Sequence, residues 1–109
     1  MSQKQPTSAI SARWKMYVGG QPVGLLYLSV ADQPWSTCRF QPLEGWEPVL
    51  TLFEVQNQAV LEGFPEDKGW ATKEIRQRGV ELRPMDEISG PVIRPFMIYV
   101  SGYEARFRS

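Results

Sequence analysis

With 109 residues the chain has room for one domain and not two comfortable ones. Its 12 basic residues balance 12 acidic ones, which argues against a dedicated polyanion binder, and 42% hydrophobic with 22% charged residues excludes a disordered or fibrous chain. The absence of His and a single Cys, Cys38, exclude imidazole acid–base chemistry, the common zinc sites and an internal disulfide framework.

Residues 1–12 carry Gln, Ser, Thr, Lys and Pro around Ile10 and read as a flexible N-terminal tail before one domain spanning 13–109. No apolar run follows a basic start, and the stretch Leu25 to Leu28 is far short of the roughly 20 residues of a membrane span, so a cytoplasmic chain without membrane contact is expected. Arg13 to Val18 alternates as a half-buried strand, with Trp14, Met16 and Val18 on one face. Gly19-Gly20-Gln21-Pro22 is turn chemistry, not a phosphate loop, because no Lys-Ser/Thr follows it. Val23 to Val30 supplies the second strand. Asp32-Gln33-Pro34 breaks it, and Trp35 to Phe40 supplies the third.

The period then changes. Pro48 suits a first helical position, and Trp46, Val49, Leu50, Phe53, Val60 and Leu61 recur on one side of a helix. Gln56-Asn57-Gln58 interrupts that stripe and is expected to bend the helix or expose a turn, and Gly63-Phe64-Pro65 ends it. A second helix is expected from about Asp67 to Arg78. Acids at its start, Arg76 and Arg78 in its last turn and Gly79 beyond all favour it, and Glu74 and Arg78 are spaced for an i,i+4 pair. Val80 and Leu82, then Phe96, Ile98 and Val100, then Tyr103, Ala105 and Phe107 restore period two, with Ser101-Gly102 as a hairpin turn and Pro95 at a strand start or edge. The expected fold is α+β in two layers. An antiparallel sheet of five or six strands carries two helices on one face, in the order β-β-β-α-α-β-β-β.

Cys38 shares its face with Phe40 and reads as a small buried hydrophobe. Carboxylates are the only general acid–base material. Glu62, Glu66 and Asp67 cluster between the helices, where they form a solvated loop, an acid–base pair or oxygen ligands for a hard cation. Glu44 and Glu47 read as first-turn acids. The face opposite the helices is expected to hold Arg13, Lys15, Tyr17, Tyr27, Arg39, Arg83, Arg94, Tyr99, Arg106 and Arg108, with Glu81 and Glu104 as its acids. Such a surface docks an acidic protein, stacks and neutralises a single-stranded nucleic acid, or blunts a solvated sheet.

The run Asp32-Gln33-Pro34-Trp35 through Phe40-Gln41-Pro42, the segment Trp46 to Phe53, Gly79-Val80-Glu81-Leu82 and the closing Tyr103-Glu104-Ala105-Arg106-Phe107-Arg108 resemble small uncharacterised bacterial α+β proteins of about this length. The resemblance implies a stand-alone α+β domain and no activity. The reading is therefore a non-enzymatic interaction module, immunity- or regulator-like, binding a protein through the basic-aromatic face or a sheet edge. A single-stranded nucleic-acid binder is the alternative and a carboxylate enzyme the third. Neither cofactor nor metal is expected.

Overall fold

Trp14, Met16 and Val18 are buried while Lys15 and Tyr17 between them are half-buried, so the first strand has an inner and an outer face from its first residue. The computed structural model describes residues 12–32, 34–63, 69–85 and 90–108. Of the expected N-terminal tail, all but Ala12 lies outside them, as do Glu66 and Asp67.

The elements run β1 (Trp14–Val18), β2 (Gln21–Asp32), β3 (Trp35–Pro42), a 3-10 turn (Glu44–Trp46), α1 (Glu47–Leu61), α2 (Trp70–Arg78), β4 (Val80–Pro84), β5 (Met97–Ser101) and β6 (Glu104–Arg108). The six strands form one antiparallel, curled sheet in the order β4-β1-β2-β3-β6-β5. The expected α+β order holds, and both helices pack against the inner face. Beyond the named strands, Leu82 exchanges both backbone hydrogen bonds with Ile93, at 2.8 and 3.0 Å, so the segment leading into β5 covers the outer edge of β4. The opposite edge is engaged at one point: Asn57 of α1 donates from Nδ2 to the Val100 carbonyl of β5 at 2.6 Å.

The core lies between the curl and the helices. Trp46 stands between Phe40 and Phe53, with ring centroids 4.8 and 5.0 Å away, and Trp14 meets Phe107 edge-on at 5.3 Å. Two glycines allow this closeness. A Cβ on Gly24 would overlap the Phe40 ring, and one on Gly45 would overlap the Pro22 carbonyl, so the 3-10 turn sits directly on β2. Gly79 ends α2 with φ 85°, and Arg78 pairs with Glu74 at 2.8 Å as the spacing requires.

Two expectations about faces are corrected. Gln56 of the polar triplet is buried, at 2% exposure, and Asn57 is tied to β5, so the inward stripe of α1 is Val49, Leu52, Phe53, Gln56 and Ala59. Val60 and Leu61 are exposed instead, in the last turn of α1, where they border a shallow hollow with Tyr99 and Arg106 of β5 and β6. Phe96, expected inside with Ile98, is 63% exposed. It precedes β5, directly after Pro95, and turns toward Arg76 of α2. No helix among the described residues is long and apolar enough to cross a membrane.

Candidate functional site

Alternation along β2, β3, β5 and β6 turns Tyr27, Trp35, Thr37, Arg39, Tyr99, Arg106 and Arg108 away from the core. Register then brings them together: Tyr27 lies opposite Arg39, Thr37 opposite Arg106, and Arg106 opposite Tyr99. Trp35 enters β3 with the same parity as Thr37 and Arg39, a signal present in the sequence but missed there. Its ring stacks with Tyr99 at 5.9 Å and takes the Arg106 guanidinium at 5.1 Å from its centroid.

Arg39 lies over Tyr27 at 4.4 Å, and the Tyr27 hydroxyl donates to Gln41 Oε1 at 2.8 Å, which fixes the ring beneath the cation. Glu104 is the register partner of Arg39, yet no ion pair joins them. Among the described residues Arg39, Arg106 and Arg108 are exposed and have no carboxylate partner. Each guanidinium lies beside its ring in an exposed residue, and its fork of N–H donors is of the kind that binds carboxylates in pairs of hydrogen bonds.

The other half of the predicted set behaves differently. Arg83 lies 3.8 Å over Tyr17 and donates to Glu81 Oε1 at 3.0 and 3.1 Å, while Arg94 donates to Glu81 Oε2 at 2.9 Å. The Arg83 hydrogen bonds first, then the charge of Arg94, hold the Glu81 carboxyl below its ordinary value of 4.5. This cluster satisfies most of its own charge. Lys15 lies between Leu25 and Arg83 on β1, and Arg13 turns over the inner Trp14 ring at 5.1 Å, apart from the outer group.

Cys38 is buried on the inner face, where loss of solvent, opposed by the Arg13 charge, pushes its thiol from 9.0 up to about 12. Of the carboxylate cluster only Glu62 is described; it is exposed and accepts from Gln58 Nε2 at 2.5 Å. Among the described residues no group of three or more His, Cys, Asp or Glu could hold a metal ion.

Compared with protein-family models, curated proteins and solved structures, the chain finds no match in any of the three. The resemblance to small bacterial α+β proteins therefore rests on the sequence motifs alone.

Proposed function

We propose that the protein is a non-enzymatic interaction module that binds an acidic segment of a partner protein across the outer face of β3, β6 and β5. The observation that carries this reading is the pair Arg39 and Arg106, each laid on an aromatic ring and each without a carboxylate of the chain's own among the described residues. Prepositioned guanidiniums lose little freedom when a carboxylate arrives, and Arg with Tyr and Trp is the composition of interface anchors. The face supports this better than an edge, because β4 and β5 are each engaged by the chain itself.

A protein partner is favoured over single-stranded nucleic acid by the same stacking. The rings of Tyr27, Tyr17 and Trp35 already hold guanidiniums, so they are poor platforms for bases. A buried thiol without a disulfide partner suits a reducing, cytoplasmic setting.

The test is titration with a poly-glutamate peptide and, separately, with oligothymidine, followed by Trp fluorescence. Poly-glutamate should bind with a salt-dependent affinity that the double variant Arg39→Glu/Arg106→Glu loses at least about tenfold. Tighter binding of oligothymidine than poly-glutamate transfers the reading to nucleic acid, and binding of neither overturns it.

A further inference from the structure

A cavity of about 370 Å³ opens between α2 and the gap that separates β4 from β5. That size lies within the range of small-molecule sites. Ile75 and Ile98 supply apolar wall, and Gln56 and Thr72 supply its polar atoms. Exposed Phe96 and the cations Arg76 and Arg94 border its mouth.

Gln56 is the unusual member. It is 2% exposed, its Nε2 donates to Thr72 Oγ1 over a long 3.4 Å, and its Oε1 has no hydrogen-bond partner. A buried acceptor left without a donor is costly to folding, and most such groups are paired. Gln56 lines the cavity with its Nε2 engaged by Thr72 and its Oε1 left for a donor. A ligand N–H or O–H would then complete it.

The mouth has the opposite character. Arg76 lies 5.3 Å from the Phe96 ring centroid and donates from Nη2 to Met97 Sδ at 3.1 Å, with no carboxylate partner among the described residues. Arg94 shares Glu81 with Arg83, so one carboxylate serves two guanidiniums. The mouth therefore holds more positive than negative charge and an aromatic ring held in place by one of its cations.

The geometry points to this cavity as a binding site for a small organic carboxylate: an apolar body between Ile75, Ile98 and Phe96, the carboxylate at Arg76 and Arg94, and a hydrogen-bond donor at the far end on Gln56. It is separate from the face that binds the acidic partner. A bound molecule would join α2 to the start of β5 across the open gap in the curl.

The test uses 4-hydroxyphenylacetate with the ¹⁵N-labelled protein, alongside 4-hydroxyphenylacetamide, which lacks the charge, and phenylacetate, which lacks the donor. The acid should give saturable shifts at the amides of Thr72, Ile75, Gly79 and Ile98. Affinity should be lower by about tenfold for each of the other two probes. The exposed substitution Arg76→Gln should abolish the preference for acid over amide, and Gln56→Leu the preference for the hydroxylated probe. Absence of saturable shifts at the cavity, or equal affinity for all three molecules, overturns the site.

Discussion

Arg39 and Glu104 are register partners on adjacent strands, yet the guanidinium turns the other way and lies 4.4 Å over the Tyr27 ring. A cross-strand ion pair in water is worth at most about 1 kcal/mol, and an exposed cation–π contact is worth about as much. The ring decides which one forms, because the Tyr27–Gln41 hydrogen bond fixes it in place. The result is an outward-facing cation whose neighbouring acid is not spent on it.

Tyr27→Ala is therefore expected to release Arg39 toward Glu104. Stability should change by less than about 1 kcal/mol, while affinity for poly-glutamate falls several-fold. Adding Glu104→Gln to Tyr27→Ala should restore part of that loss, measured by the same titration. A Tyr27→Ala variant that binds as well as the parent shows that the ring does not hold the cation for binding.

Glu81 makes a contrasting prediction about acid. Its folded-state carboxyl is held below 4.5, so its contribution to stability is present above that value and is lost as pH falls through the folded-state pKa. The melting-temperature gap between the parent and Glu81→Gln should be constant at neutral pH and close progressively below pH 4.5. A gap independent of pH down to 2 shows that the Arg83–Glu81–Arg94 cluster adds nothing through charge.

Cys38 should be inert in the folded protein. With its thiol pushed up to about 12, it should not react with an aromatic disulfide reagent at pH 8 except at the rate of unfolding. The sign for stability is the reverse of that for Glu81. The unfolded thiol ionises near 9 and the folded one does not, so stability should decline as pH rises above 9. Rapid modification of native protein would place Cys38 at an accessible surface and contradict the packing.

The close approach of the 3-10 turn to β2 is tested by Gly45→Ala. Its Cβ would meet the Pro22 carbonyl, a backbone atom that cannot rotate aside, so a loss of at least about 2 kcal/mol is expected by urea unfolding. Gly24→Ala meets the Phe40 ring, which is buried against Trp46, and should cost a similar amount. A loss below about 0.5 kcal/mol at either site would contradict the close approach there.

Much of this architecture was legible in the residues. Period two placed Trp14, Met16, Cys38, Phe40, Leu82 and Ile98 inside and Arg39, Arg83, Tyr99 and Arg106 outside, because each strand buries one side and only one. Parity also held Trp35, which went unread because its position after Pro34 suggested a strand entrance. Gln56 could not be read: hydrophobic periodicity assigns an amide to solvent, whereas this one is carried inward by Val49, Phe53 and Ala59 on the same stripe. Phe96 failed for a different reason. Its parity with Ile98 is correct, but it stands just before β5 at the mouth of the cavity, where its ring meets the exposed Arg76 of α2 and not the core. Self-pairing of Arg83 and Arg94 through Glu81 depends on the Leu82–Ile93 bridge, which no local pattern announces.

The most direct test of the central claim is a map of poly-glutamate binding by ¹⁵N–¹H shifts. Saturable shifts are expected on the outer face alone, at Thr37, Arg39, Tyr99 and Arg106, with their loss in Arg39→Glu/Arg106→Glu at unchanged melting temperature. Shifts that instead centre on α1, on the cavity beside α2 or on the Arg83–Glu81–Arg94 cluster, or that persist in the charge-reversed variant, would contradict that claim.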